Sequence, residues 1–191
     1  LHSFPTRRSS DLEIANDAFA LREYDGSCLY EYSDPKHTFS QWGSCLFDLG
    51  KDPVRSFLMS AMNYFLDYFH FDGIRCDAVS NIVYWDGNKN NGENGGATEF
   101  LKRLNGKIHY KHPDVMMIAE ESTAWPKVSH PVEDGGLGFT HKWNMGWMHD
   151  TLDYFSTDSY ARAWHHDEFC FSMMYAFAEN YVLSLSHDEV V

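Results

Sequence analysis

No run of basic residues, no apolar stretch of membrane-spanning length and no metal-type or disulfide-type cysteine spacing occurs in this 191-residue sequence. Fifteen lysines and arginines stand against 28 aspartates and glutamates, a formal charge of -13 with a pI near 5.1. Such a balance argues against nucleic acid and anionic membrane surfaces as main partners, because nothing gathers positive charge to hold phosphate. Cys28, Cys45, Cys76 and Cys170 include no C-x-x-C pair and no regular framework. They predict reduced thiols in a cytoplasmic setting, with neither a zinc site nor a disulfide scaffold. The apolar runs fall short of the roughly 20 residues of a membrane helix, and the first residues hold no secretory apolar segment. Gly135, Gly136 and Gly138 lie close together, but no strand precedes them at the right distance and no Lys-Ser/Thr follows, so a tight turn is expected and not a phosphate loop. His165, His166, Asp167 and Glu168 are four neighbours in a row that cannot share one face, which predicts a solvated loop and not a metal site. No cofactor is implied.

Aromatic residues, by contrast, are plentiful. Fourteen Phe, eleven Tyr and six Trp make up 16% of the chain, enough to supply both a core and flat surfaces with hydrogen-bonding tips. With the acidic charge, this favours a neutral, hydroxylated ligand, as a sugar site would take. Residues 1–12 have no periodicity and read as the translation of a sequencing adapter, so they are set outside the fold. Residues 13–191 then form one domain.

Residues 13–50 are irregular, with turn signals at Asp25-Gly26, Asp34-Pro35 and Trp42-Gly43. Pro53 opens a predicted helix over residues 54–70, with Val54, Phe57, Leu58, Ala61, Phe65 and Phe69 at helical spacing. A strand follows over residues 71–79, then a polar loop over 81–96. A helix is predicted over 98–109, with Ala97 or Thr98 near its start and Phe100, Leu101, Leu104 and Ile108 on one face. Residues 114–121 read as a doubly buried strand ending in Glu120 and Glu121. A long loop region over 122–150, a short helix over 151–155, a helical stretch over 171–177 and a strand over 181–185 complete the chain, the last ending at His187 and Asp188.

The strand over residues 71–79 carries the chemistry. Arg75 and Asp77 are two apart, so on a strand they share a face. A guanidinium beside a carboxylate favours the ionised form, and an ionised carboxylate can act as a nucleophile. A structural ion pair at a strand end would look the same on this segment alone. Cys76 points the other way and reads as a small buried residue.

Asp77, Glu120 and Asp188 all sit at strand ends. A (β/α)8 barrel spends roughly 30 residues per unit, so Asp77 to Glu120 is one unit with a long loop. Glu120 to Asp188 is two units, and a further strand is expected near residues 139–143. The expected fold class is therefore α/β, of the (β/α)8 barrel kind. Its three carboxylates gather at the C-terminal face where that fold builds active sites. Paired carboxylates suit glycosyl transfer, in which one attacks the anomeric carbon and another, kept protonated, delivers a proton to the leaving oxygen.

The segments GIRCDAV, IAEEST with Trp125-Pro126 after it, GGLGFTHKWNMGWMHDTLDYF and LSLSHDEVV together resemble the 1,4-α-glucan branching enzymes of the α-amylase superfamily. The resemblance implies Asp77 as nucleophile with Arg75 as its partner, Glu120 as general acid/base, and Asp188 as transition-state stabiliser beside the substrate-binding His187. Glu121 could exchange roles with Glu120. Trp143 and Trp147 are implied as substrate-binding, with Tyr84, Trp85 and Trp125 as further stacking candidates. The implied reaction is retaining transglycosylation in glycogen synthesis, with α-glucan (amylose or glycogen) as both donor and acceptor and no cofactor. An amylase-type or trehalose-releasing hydrolase would use the same carboxylates with water as acceptor, and an inactive glucan-binding barrel would keep only the aromatics. The resemblance further implies a partial (β/α)8 barrel, roughly the strand 3 to strand 7 region with the first strands and strand 8 missing, because the family's block after its third barrel strand would lie upstream. The chain on its own is therefore expected to be inactive and prone to aggregate through unpaired strand edges.

Overall fold

The computed structural model describes residues 13–14, 20–186 and 190. Residues 1–12, with the adapter reading, and His187 and Asp188 lie outside the described residues. In chain order the elements are β1 (Glu13–Ile14), β2 (Cys45–Leu46), α1 (Asp52–Phe69), β3 (Gly73–Cys76), α2 (Val79–Val83), α3 (Gly95–Lys111), β4 (Met116–Ala119), β5 (His141–Trp143), α4 (Met145–Ser156), α5 (His166–Cys170) and β6 (Tyr181–Val182). A small antiparallel pair joins β1 to β2. The main sheet runs β3-β4-β5-β6, every neighbour parallel and every strand in chain order. This is an α/β chain with a parallel sheet, and the strand expected near residues 139–143 is β5. No helix among the described residues is long and apolar enough to cross a membrane.

Helix α1 has Pro53 in its first turn, where a missing N–H costs nothing, and stops at His70 in the left-handed conformation. The face it buries differs from expectation. Val54, Leu58, Met62 and Leu66, spaced by four, pack inward, whereas Phe57 and Phe69 are 41% and 56% exposed. The helix carries two apolar stripes, and spacing alone does not choose between them. The aliphatic stripe fits against the sheet, while Phe65 stacks on Phe71 with ring centroids 5.5 Å apart on the other flank.

The region expected as a loop over residues 81–96 is more ordered than its composition suggests. It contains α2 and two single 3-10 turns, Trp85–Gly87 and Lys89–Asn91. Helix α3 starts earlier than expected because Asn94 caps it, its Oδ1 accepting from the Ala97 N–H at 3.2 Å. Its predicted inner face, Phe100, Leu101, Leu104 and Ile108, is fully buried. Asn144 does the same for α4, accepting from the Trp147 N–H at 2.9 Å, so that helix also exceeds the expected 151–155. Residues 165–168, expected as loop, enter the short α5 but remain solvated, with an exposed His165–Glu168 pair at 3.0 Å. The helical stretch expected over 171–177 is one 3-10 turn, Phe171–Met174. The glycine-rich segment is a tight turn: a Cβ on Gly136 would lie 2.1 Å from the His130 carbonyl oxygen.

Ile74 and Cys76 on β3 and Met117 and Ala119 on β4 join the core with α1 and α3. Buried Arg55 ties these layers together. Its Nε donates to the Leu49 carbonyl at 2.6 Å, and its Nη2 donates to the Gly96 carbonyl at 2.9 Å and to Glu99 at 3.3 Å. Arg55→Met removes all three of these hydrogen bonds from the layer contact and is expected to cost about 1.5–3 kcal/mol. The measurement is the urea midpoint at unchanged slope in the full-length protein carrying this segment.

Candidate active site

Parallel pairing of β3 with β4 sets Cys76 opposite Ala119 and continues past the strand ends. The Glu120 N–H donates to the Cys76 carbonyl and the Val79 N–H to the Glu120 carbonyl, both at 2.8 Å. Asp77 and Glu120 therefore leave adjacent strands side by side. They are near enough for the Asp77 charge to raise the Glu120 pKa. Arg75, two residues before Asp77 on the same face, forms an ion pair with it and reaches to 3.9 Å from Glu120 Oε2. Trp143, at the end of β5, offers its ring to the same guanidinium, with Arg75 Cζ 4.0 Å from the ring centroid. Asp77, Glu120 and Trp143, from three adjacent strand ends, thus meet around one cation.

The two carboxyls sit in different surroundings. The Asp77 side chain is 26% exposed and that of Glu120 15%. Burial raises the Glu120 pKa above its ordinary 4.5. The neighbouring Asp77 charge raises it further, and the Ala78 N–H and Arg75 pull it back. Glu120 is thereby biased toward holding its proton while Asp77 faces a cation.

Ala78 is the part of the site that nothing in the sequence announces. It adopts a left-handed backbone with φ 45°, uncommon for a residue with a Cβ, and its N–H donates to Glu120 Oε2 at 2.6 Å. Lys142, on β5, was missed for a different reason, since a lysine on a short strand reads as solvent-facing. It is buried, with Nζ 2.6 Å from Glu121 Oε2 and 3.1 Å from the Thr123 carbonyl. Glu121 also accepts from the Thr123 N–H at 2.7 Å and from its hydroxyl. Alternation therefore sends the two adjacent glutamates apart, Glu120 to Asp77 and Glu121 into a sealed ion pair, leaving Glu121 no access to the Asp77 face.

The aromatic expectations divide. Trp143 belongs to the site as the platform for Arg75. Trp147 is half-buried in the first turn of α4. Tyr84 is corrected: it is buried in the core, with Trp125 edge-on at 5.0 Å, so it has no free face for a sugar. Trp85 stacks on His37 at 4.3 Å, in the loop region and away from Arg75. His187 and Asp188 follow β6, outside the described residues. Among the described residues, no three His, Cys, Asp or Glu side chains form a group able to hold a metal.

A parallel α/β sheet whose adjacent strand ends carry one cation-paired carboxylate and one half-buried carboxyl with a raised pKa has the make-up of a candidate acid–base and nucleophile site. Sequence comparison supplies the family. The chain is 49% identical to the 1,4-alpha-glucan branching enzyme GlgB of Myxococcus xanthus over 186 residues, covering 92% of this chain and 25% of that protein. It is 50% identical to that of Nitrosococcus oceani over the same length and coverage, and 50% identical to that of Aromatoleum aromaticum over 187 residues, 29% of that protein. The chain is thus homologous to the 1,4-alpha-glucan branching enzymes along nine-tenths of its length, as its motifs led us to expect. It spans about a quarter of the length of the curated relatives it matches. No family model matches it. A solved structure named for an alpha amylase of Salmonella typhimurium is 19% identical and overlaps 73% of this chain and 22% of its own at a TM-score of 0.48, too slight a likeness to carry weight.

Lys142→Met leaves the Glu121 charge buried and alone, and about 3–5 kcal/mol of stability is expected to be lost. Adding Glu121→Gln removes that charge, so the double variant is expected to be more stable than Lys142→Met alone. Urea unfolding of the full-length protein carrying this segment, arranged as a double-mutant cycle, measures both.

Proposed function

We propose that this segment carries the catalytic core of a 1,4-α-glucan branching enzyme, a retaining transglycosylase. The observation that supports it best is the placement of cation-paired Asp77 beside half-buried Glu120 at adjacent strand ends, with the Glu120 pKa raised by burial and by the Asp77 charge. In this reading Asp77 attacks the anomeric carbon of an α-1,4-linked glucan as Glu120 gives its proton to the departing 4-oxygen. A glycosyl ester on Asp77 results. Glu120, now ionised, takes the proton of an incoming glucose 6-hydroxyl, whose oxygen displaces Asp77 and completes an α-1,6 branch. Placement of the two carboxyls side by side on adjacent paired strands fits the closer spacing of a retaining pair, because an inverting pair needs room for a water between them.

Arg75 holds Asp77 in place for attack, and Trp143 holds Arg75. Asp188 and His187 are assigned to the oxocarbenium-like sugar by the motif LSLSHDEVV. Trp147 is assigned to the substrate side. The chain-ordered parallel strands are read as an arc of a (β/α)8 barrel, with the carboxylates at its C-terminal face. Donor and acceptor are both α-glucan chains, and no cofactor is needed. A cytoplasmic setting fits four free cysteines.

The test is to incubate the full-length protein carrying this segment with amylose and follow iodine colour and reducing ends together. Colour lost without new reducing ends, with short chains released only after a debranching enzyme is added, is the expected result. Reducing ends rising in step with colour loss would mean that water is the acceptor and the reading is wrong. Asp77→Asn is expected to lower kcat on the order of 10⁴-fold with glucan binding retained.

The alkaline limb of kcat/KM should report Glu120 losing its proton. Arg75 favours the ionised form of Glu120, so Arg75→Leu moves that limb to higher pH while lowering activity. An unmoved limb would separate Arg75 from the acid/base.

A further inference from the structure

A second recess lies beside the candidate site, between the turn that precedes β2 and the loop that follows α2. Its volume is about 240 Å³, and Phe39, Ser40, Gln41, Leu46, Asn81 and Asp86 line it. Small-molecule pockets start near 300 Å³, so it has room for one sugar ring and not for a folded chain.

The walls are ordered by contacts outside the recess. On one side, Phe39 bridges to Cys45, and the Ser40 N–H donates to the Ser44 carbonyl at 2.8 Å, closing a tight turn with Trp42 exposed at its tip. The Arg22 guanidinium covers one face of the Phe39 ring, with Cζ 5.0 Å from its centroid. On the other side, Asp86 has a left-handed backbone with φ 55°, and its carboxylate meets His37 at 3.5 Å and Asn91 at 3.0 Å. The ring of His37 in turn stacks on Trp85. Asn81 is set by close backbone approach: a Cβ on Gly87 would fall 1.7 Å from its Oδ1.

Among the described residues the lining is thus one partly exposed aromatic ring, one aliphatic side chain, two carboxamides, a hydroxyl and a carboxylate, with no lysine or arginine. Carboxamides and carboxylates that accept and donate around an aromatic plane match a neutral ring with hydroxyls on its edge and C–H groups on its face. An anionic ligand would meet Asp86 with no cation in the lining to offset it. Asn81 follows Asp77 by four residues, which limits their Cα separation to about 15 Å. A glucan lying across the C-terminal strand ends could therefore reach from one to the other.

We propose that this recess is a glucan subsite remote from the cleaved bond, holding one glucose unit of a bound α-1,4-glucan against Phe39, with Asn81, Gln41 and Asp86 taking its hydroxyls. It rests on the branching reading for the identity of the sugar, but its test does not depend on turnover. The full-length protein carrying this segment, with Asp77→Asn to stop reaction, is titrated calorimetrically with maltoheptaose, and cellohexaose serves as the control. Phe39→Ala is expected to weaken maltoheptaose about tenfold, the equivalent of ~1.4 kcal/mol. Gln41→Ala, an exposed change that the fold tolerates, is expected to weaken it by a smaller factor. In the protein with Asp77 intact, both variants raise the KM for amylose and leave kcat unchanged. Maltoheptaose binding unaltered by both variants overturns the subsite, whatever the products on amylose. A subsite that weakens as expected in a protein that releases only reducing ends would overturn the branching reading and leave the subsite standing.

Discussion

The Arg75 guanidinium is the interaction on which the candidate site depends. It faces Asp77 on its own strand, Glu120 on the next and the ring of Trp143 on the one after. A planar, permanently charged group can do this because its edge carries the hydrogen-bond donors and its face stacks on an aromatic ring. A lysine would offer a point charge and no plane, and so could not satisfy a carboxylate and a ring together. The parallel sheet brings these positions within reach of one another, since chain-ordered parallel strands put successive C-terminal ends side by side. Without the cation, two neighbouring carboxyls would share a partly buried site, where among the described residues the Ala78 N–H is left to oppose their charge.

Two successive glutamates at the end of β4 show how one strand serves chemistry and stability at once. Glu120 turns to the open side and Glu121 to the sealed one, as the two-residue period of a strand requires. Lys142 answers the charge of Glu121 from β5, and Thr123 adds its N–H and hydroxyl. The buried pair adds little net stability by itself, because desolvation offsets much of the attraction. What it fixes is direction. With Glu121 committed inward, the peptide between the two residues cannot rotate, and Glu120 is left facing Asp77.

Much of this was legible in the sequence because it follows from spacing. Arg75 and Asp77 at positions i and i+2, the apolar run ending at Glu120, and the distance that demanded one more strand before residue 181 all rest on periods fixed by covalent geometry. Failures came where tertiary context decides between local alternatives. Helix α1 has two apolar stripes, and only the sheet selects Val54, Leu58, Met62 and Leu66 over Phe57 and Phe69. Asn94 looked like loop composition and is a helix cap. Tyr84 looked like a stacking surface and is core, because α2, unforeseen in a polar stretch, turns it inward. Lys142 could be found only by asking what neutralises a glutamate buried beside Glu120, a question that presupposes the strand pairing.

On the proposed reading, Ala78 is what lets Glu120 work as an acid and then as a base. A retaining mechanism asks one carboxyl to give up a proton and later recover one, so neither charge state can be held too firmly. Burial and the neighbouring Asp77 favour protonated Glu120; the Ala78 N–H and Arg75 favour the anion. Once the proton has left, the same N–H at 2.6 Å and the same guanidinium stand ready for the carboxylate, with no rearrangement required. The left-handed backbone at Ala78 is the conformation in which that N–H is aimed at Glu120. A relaxed extended residue there would turn the N–H elsewhere, and burial would then hold the proton on Glu120 with less to oppose it. Strain at one alanine and burial at one glutamate are in this sense a single device, each correcting the excess of the other.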